Sequence, residues 1–185
     1  MKEKRTDRRV LRTKKMLREA LIELLKEKPI SKITPTELCV KADINRNTFY
    51  SHYGSTEELL HTLENSLLSK IETAVLESPD KEAIAVTCRA MRKYKDLVEV
   101  LFTDNASSNL PLQIFESANK RNFGKLSRET NSLTGNYPKM ISHFTIYGGA
   151  AILQIWTANG MKEEPEEIAA FVRKLCIHGT SSMTM

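Results

Sequence analysis

The sequence predicts an all-α protein, and three observations carry that prediction. Gly 7 and Pro 6 of 185 residues come to about 4% and 3%, below the usual roughly 7% and 5%. Turn residues are therefore too few for a sandwich or barrel. Apolar residues recur at three- and four-residue steps along most of the chain, and no alternating run marks a strand. Pro29, Pro35, Gly54, Pro79, Pro138, Pro165 and Gly179 fall at the boundaries of these periodic segments. With 41% hydrophobic and 28% charged residues, disorder along the whole length is excluded.

The elements follow in order. Val10, Leu17, Leu21, Leu24 and Leu25, with Thr13 and Ala20, form one helical stripe from about Asp7 to Lys28, stopped by Pro29. Thr34-Pro35-Thr36-Glu37 combines a capping box with proline at the first helical position, so a short second helix starts at Pro35 and reaches about Ala42. Asp43 suits the tight turn that follows, since Asp tolerates positive φ better than most residues. Asn45 is a good N-cap for a third short helix to about Tyr53, ended by Gly54.

Ser55-Thr56-Glu57-Glu58 is a second capping box. It opens a fourth helix with the stripe Leu59, Leu60, Leu63, Leu67, Ile71 and Val75. Ser78-Pro79 then opens a fifth, carrying Ile84, Cys88, Met91, Leu97, Val98, Leu101 and Phe102. Residues Asp104 to Asn109 read as a polar turn. Leu112, Phe115, Phe123 and Leu126 mark a weaker helix, and Ser127 to Pro138 the longest loop. From Pro138 to Gly160 the pattern is apolar nearly all round. A last helix starts at Glu164-Pro165, carries Ile168, Phe171, Val172 and Leu175, and ends at Gly179.

Charge is divided unevenly. Through Tyr53 there are 14 Lys+Arg against 7 Asp+Glu, a net of +7; the remainder carries −2 of the overall +5. One module that meets a polyanion and another that does not is the reading. Three widely spaced cysteines, Cys39, Cys88 and Cys176, without CxxC spacing, argue for a reducing compartment and against a disulfide framework or zinc site. His143 and His178 add no ligand geometry to them. No apolar h-region follows the basic N-terminus, and the longest apolar stretch, Phe144 to Ala158, is too short to span a bilayer. The expectation is a cytoplasmic protein with no membrane partner and no cofactor.

Two short helices joined by a tight turn, between longer ones, outline a helix-turn-helix unit. The start of its second helix reaches base edges in the major groove. Here that start is Asn45, Arg46 and Asn47; Arg reads guanine and Asn reads adenine in bidentate fashion. Thr48, Tyr50 and His52 carry groups suited to phosphate oxygens. Backbone N–H groups at Pro35 to Glu37, with the Thr36 hydroxyl, form a further expected anion site. Phe49 and Tyr53, four apart, read as core rather than as base-stacking rings. The basic residues Lys2, Lys4, Arg5, Arg8 and Arg9 read equally as a soluble tail or as an arm on phosphates or in the minor groove.

The run Ile33-Thr34, Glu37-Leu38, then Ala42-Asp43-Ile44-Asn45-Arg46-Asn47-Thr48-Phe49-Tyr50-Ser51-His52-Tyr53-Gly54-Ser55-Thr56-Glu57-Glu58-Leu59-Leu60 resembles the N-terminal domain of TetR-family transcriptional regulators. Trp156-Thr157-Ala158-Asn159-Gly160-Met161 and the Glu-rich residues after it are similar to C-terminal regions of one branch of that family. The resemblance implies a homodimeric regulator, usually a repressor, bound to a double-stranded DNA operator and often released by a small-molecule effector. It implies DNA contacts from Thr36, Arg46, Asn47, Thr48, Tyr50 and His52. Two positions depart from the family pattern: Asp43 stands at the turn where Gly is usual, and Thr56 where Lys is usual. Thr56 reduces a common phosphate contact to a hydroxyl, for which the basic arm Lys2, Lys4, Arg5, Arg8 and Arg9 would compensate.

The expected organisation is a three-helix helix-turn-helix domain over residues 1–54 and a C-terminal helical bundle over 55–185 for dimerisation and ligand binding. Met91, Tyr94, Phe115, Phe123, Met140, His143, Phe144 and Tyr147 are the candidates for lining an effector pocket, although such a stripe is often plain core. A helix apolar on all sides must be buried on all sides. A C2 four-helix interface from the last two helices of each chain is therefore expected, with Gly149, Leu153, Trp156, Ile168, Phe171, Val172 and Leu175 in it. An enzyme has little support: GxSxG, HExxH, P-loop and GxGxxG motifs are all missing, and no catalytic constellation is spaced out. An effector-free architectural DNA binder on the same fold is the competing reading.

Overall fold

Capping chemistry at the amino end of this computed structural model sets the first three helices, and the structure describes residues 2–78, 82–106, 108–119 and 135–181. These are α1 (Lys2–Glu27), a 3-10 turn (Ile30–Lys32), α2 (Pro35–Ala42) and α3 (Arg46–Tyr50). There follow α4 (Thr56–Glu77), α5 (Ala83–Lys93), α6 (Lys95–Leu101), α7 (helical over 110–119), α8 (Tyr137–Ala158) and α9 (Pro165–Ser181). The expected all-α class holds: among the described residues there is no strand.

Several boundaries differ from expectation, each for a local reason. The first helix begins at Lys2, so the basic segment is helical. The third is only five residues long, because a turn over 51–52 follows Tyr50. The expected fifth helix is two, broken at Tyr94, whose φ of −108° and ψ of 30° leave the helical region. Pro138 lies inside the first turn of α8, where its missing N–H costs nothing. Gly179 does not end α9, which continues to Ser181. Pro79, Phe123, Leu126 and residues 127–134 lie outside the described residues.

The chain forms two compact units. The first is Met1–Ser66 with Thr103–Ser108; the second is Leu67–Phe102 with Asn109–Met185. The division thus falls within α4 rather than after Gly54. In the first unit Leu17, Leu21, Leu25, Leu38, Phe49 and Leu59 are the fully buried centre. The 103–108 segment joins this unit by hydrogen bonds that complete a helix end: Asn105 Nδ2 donates to the Leu25 carbonyl at 3.0 Å, and the Ile30 N–H donates to the Asn105 carbonyl at 2.8 Å.

In the second unit α5 is buried from Ala83 to Met91 except at Arg89, and Leu101, Phe115, Leu153, Trp156 and Val172 of the other helices are buried with it. The α8–α9 corner has positive φ at Gly160 (79°) and Met161 (53°). Side chains of the α5–α6 region hold this corner. Arg92 donates to the Met161 and Glu163 carbonyls at 2.9 and 2.8 Å and pairs with Glu164 at 2.6 Å; Lys95 donates to the Gly160 carbonyl at 3.0 Å. The Trp156 indole N–H donates to the Glu163 carbonyl at 3.1 Å. Arg89 pairs with Glu166, and its hydrogen bond is the main reason that carboxyl titrates below the usual range.

Candidate nucleic-acid interface

Caps fix the helix-turn-helix before packing does. The Thr34 hydroxyl accepts from the Glu37 N–H at 3.2 Å, as the capping box requires. The return half of the box is not made among the described residues; Glu37 pairs instead with Lys28, just after α1, at 2.5 Å. Asp43 adopts φ 52° and ψ 45°, and its N–H closes α2 on the Cys39 and Val40 carbonyls. Here Asp does the work of the family's usual glycine. Asn45 Oδ1 accepts from the Asn47 N–H at 2.8 Å and starts α3. A second ion pair, Lys41 to Glu23 at 3.0 Å, fixes α2 along α1.

α3 is held from below by Phe49, fully buried, whose ring lies 6.1 Å from that of Tyr53. Both are core, as their spacing predicts. The opposite side carries the expected polar set. Asn45, Arg46 and Asn47 are exposed at the start of α3, and Thr36 is exposed at the start of α2. Tyr50 is 48% exposed, its ring edge-on to Phe49 at 5.2 Å, which leaves the hydroxyl end free of the core. Thr48 and His52 are half-buried. Arg46 is near enough to Cys39 for its charge to oppose the upward shift that burial gives the thiol. Arg8 and Arg9 are exposed on α1.

Two expectations are corrected. Thr56 does not join this surface: it is buried, and its hydroxyl donates to the Ile33 carbonyl at 3.2 Å. The start of α4 is also already occupied by its own carboxylates. Glu58 accepts from the Gly54 N–H at 2.7 Å, while the Glu58 N–H donates to Ser55 Oγ. The Glu57 carboxyl is held below its usual range first by its own backbone N–H and then by Ser55. The anion site expected at Pro35 to Glu37 narrows likewise, because the Glu37 N–H is taken by Thr34 and Pro35 has none. What remains there is Thr36.

The second unit presents a different surface. Tyr137, Met140, Phe144, Tyr147 and Ile155 of α8 are exposed, at steps of three, four, three and eight residues, with exposed Ala151 between the last two. Phe171 and Leu175 of α9 are exposed four residues apart. An apolar groove of about 390 Å³ between the two helices is lined by Phe144, Thr145, Gly148, Ile152, Phe171 and Leu175, among others.

The structure therefore redistributes the expected pocket and interface residues. Met91 and Phe115 are fully buried core, and Tyr94 is half-buried at the α5–α6 break with the Lys70 and Lys93 ammoniums 5.1 and 5.6 Å from its ring centre. Met140, His143, Phe144 and Tyr147 face solvent, His143 stacking on Tyr147 at 6.2 Å. The seven described candidates do not line one cavity, and Phe123 lies outside the described residues. Of the interface candidates, Gly149, Leu153, Trp156 and Val172 are buried within their own unit, Ile168 is half-buried, and Phe171 and Leu175 are exposed. The reason is Phe115: its ring sits where a Cβ on Gly149 would be, so that side of α8 turns inward and the Phe144 side outward. Among the described residues no cluster of three His, Cys, Asp or Glu side chains is placed to hold a metal, and no helix is long and apolar enough to cross a membrane.

Comparison with known proteins agrees with this geometry. A Bacillus subtilis (strain 168) protein described as an uncharacterized HTH-type transcriptional regulator, YxbF, is 34% identical over 116 residues. That match covers 62% of this chain and 28% of the relative, so the chain spans little more than a quarter of that protein. Two solved structures share the fold. One is the dihydroxyacetone kinase operon activator DhaS (TM-score 0.56, 15% identity, 90% of this chain and 95% of that one). The other is PfmR, a TetR family transcriptional regulator from Thermus thermophilus (TM-score 0.56, 16% identity, 88% and 97%). Residues 81–178 match the TetR-type family described as "Transcriptional regulator C-terminal region". The chain belongs to the TetR family of transcriptional regulators.

Proposed function

We propose that the chain is a homodimeric repressor that binds a near-palindromic DNA operator and is released from it by a small-molecule effector. The observation that carries the reading is the capped, solvent-facing set Thr36, Asn45, Arg46, Asn47 and Tyr50, on the only strongly basic third of the sequence. Arg46 and Asn47 read bases in the major groove, while Thr36, Thr48, Tyr50 and His52 hold phosphates and fix register. Asn45 acts first as the cap, its side-chain oxygen being engaged by Asn47.

Dimerisation uses the apolar face of α8 and α9, with Met140, Phe144, Tyr147, Ile155, Phe171 and Leu175 as its centre. A contiguous apolar face of this kind is what a C2 partner covers. The two α3 helices then enter successive major grooves about 34–36 Å apart. An effector that favours another separation by about 1–3 kcal/mol weakens binding 5–150-fold. Such a protein works where the chromosome is, in the cytoplasm. DhaS, as its name states, is an activator; the sign of regulation is thus an outcome to measure.

The test is selection of duplex DNA from a random pool. A two-fold symmetric site is expected, with binding lost in the Arg46→Ala/Tyr50→Ala double variant. A ratio of specific to non-specific affinity near one would instead favour the architectural reading. Phe144→Asp separates the two surfaces: sedimentation should show a folded monomer, and a dimer unaltered by it would remove α8 from the interface.

A further inference from the structure

The apolar face of the second unit belongs to two helices that touch each other little. α9 packs chiefly against α5 rather than against α8. The apolar groove of about 390 Å³ separates α8 from α9 beside Phe144, Gly148 and Leu175. A second groove, of about 450 Å³, separates them near the corner, beside Ile155, Asn159 and Ile168. A gap forfeits the contacts that would hold two helices at one angle. The angle between the two halves of the face is therefore set elsewhere.

The chain joins the two helices at the α8–α9 corner, with its positive φ at Gly160 and Met161. Gly160, Met161 and Glu163 lie outside regular helix, so their carbonyls need partners from other elements. α8 supplies one, the Trp156 indole N–H on the Glu163 carbonyl. The others come from α5 and α6. Arg92 Nη2 donates to the Met161 and Glu163 carbonyls while its Nη1 meets Glu164, and Lys95 Nζ donates to the Gly160 carbonyl. Arg92 ends α5 and Lys95 begins α6, on either side of the break at Tyr94. The corner is thus gripped from both helices at the point where they part. Arg89–Glu166 and Arg173–Glu82 also tie α9 to α5 and its N-cap, but as exposed pairs of side chains.

We propose that the α5–α6 break and the α8–α9 corner form one joint that sets the dimer face, with Arg92 and Lys95 as its positioning residues. Neither side chain need touch the second copy. They act through the corner backbone, which holds the apolar rows of α8 and α9 at the angle at which one partner covers both. The planar fork of Arg92 spans two carbonyls and a carboxylate at once, a geometry that an ammonium does not reproduce. The inference rests on the reading that α8 and α9 form the dimer interface.

The experiment is sedimentation equilibrium of the full chain, unaltered and as Arg92→Met, Lys95→Met, the double variant, Arg92→Lys and Arg89→Met, with a melting curve for each. The dimer Kd should rise roughly 5–150-fold in the double variant, the range of a coupling between two sites. Its effect should differ from the sum of the single effects, since both arms hold one corner. Arg92→Lys keeps the charge but not the fork, and should fall between Arg92→Met and the unaltered chain. Arg89→Met removes an α5–α9 ion pair and leaves the Arg92 and Lys95 bonds in place, so it should dimerise normally. A lowered melting temperature with an unchanged dimer Kd means stability alone, and overturns the joint. An equal rise in Arg89→Met also overturns it, because any α5–α9 pair would then suffice. If the double variant does not fold, Arg92→Lys against Arg89→Met makes the same comparison. If the unaltered chain is itself a monomer, the dimer reading falls and the joint with it, and that result precedes any variant.

Discussion

The two units solve opposite surface problems with the same kind of helix. The first buries most of its large apolar residues, leaving Leu11, Val40 and the Tyr50 ring exposed singly, and presents exposed, cap-oriented polar groups around α3. The second buries a central helix almost completely and yet leaves a row of large apolar side chains on α8 exposed, Phe144 by 73%. Polar groups held by local hydrogen bonds suit a hydrated, charged partner. An unpaired apolar row suits a partner that is itself apolar. Local chemistry sets the first surface, and packing sets the second.

The largest expected effect tests the packing side of that contrast. Gly148 and Gly149 are neighbours on α8, but a Cβ at Gly148 meets nothing within 4 Å while one at Gly149 would fall on the Phe115 ring. Gly149→Ala should cost about 3 kcal/mol, at the upper end of overpacking, since the obstacle is an aromatic ring already at full burial. Gly148→Ala should instead gain roughly 0.5–1 kcal/mol of helix propensity. Chemical denaturation of both variants is the measurement; equal effects would mean that Phe115 does not determine which side of α8 turns inward.

The next effect belongs to the first unit. Arg46→Ala removes an exposed side chain, so the melting temperature should stay put while affinity for the selected DNA falls by about 1–3 kcal/mol, or roughly 5–150-fold. If the loss appears equally on scrambled DNA, Arg46 holds a phosphate rather than a base.

What the sequence made legible follows the same line. Thr34, Asp43 and Asn45 act through neighbours two to four residues away, and their caps and the positive φ could be read directly. Thr56 could not, because its hydroxyl is consumed by Ile33, 23 residues away. Nor could the faces of α8: a helix apolar all round carries no periodic signal of which side turns inward. Met140, Phe144 and Tyr147 were therefore expected in a pocket and lie outside, while Leu153 and Trp156 were expected at an interface and lie inside. The break at Tyr94 was hidden too, since no Pro or Gly stands there.

The cysteines extend the comparison into the interiors. Burial pushes Cys88 in the second unit up to about 12, with the Glu166 charge adding to it and Arg89 opposing. Burial also raises Cys39 in the first unit, but Arg46 pulls it back. The folded state therefore favours the neutral Cys88 thiol, whose ordinary value is 9.0. Below that value both states are protonated and Cys88 adds no pH dependence. Above it the unfolded chain releases a proton that the folded chain keeps, so stability falls by at most about 1.4 kcal/mol per pH unit until about pH 12. The difference in unfolding free energy between the unaltered chain and Cys88→Ala should shift by about 1 kcal/mol from pH 9 to pH 10, where the unfolded thiol is still only partly ionised. A constant difference would mean that the Cys88 environment is open to water.

The smallest effect concerns a defect inside the first unit. Tyr53 is 4% exposed, and its hydroxyl is buried without a hydrogen-bond partner among the described residues. Its ring is needed, since it packs against Phe49 beneath α3. The oxygen is a different matter: a buried, unsatisfied hydroxyl has left water without compensation. Tyr53→Phe keeps the ring and removes the unsatisfied group, so stability should rise by about 1 kcal/mol with DNA affinity unchanged. A loss of stability would show that the hydroxyl has a partner in solution. A loss of DNA affinity at unchanged stability would mean instead that this oxygen takes part in setting α3, and the division between a polar outer face and a purely apolar support would then have to be redrawn.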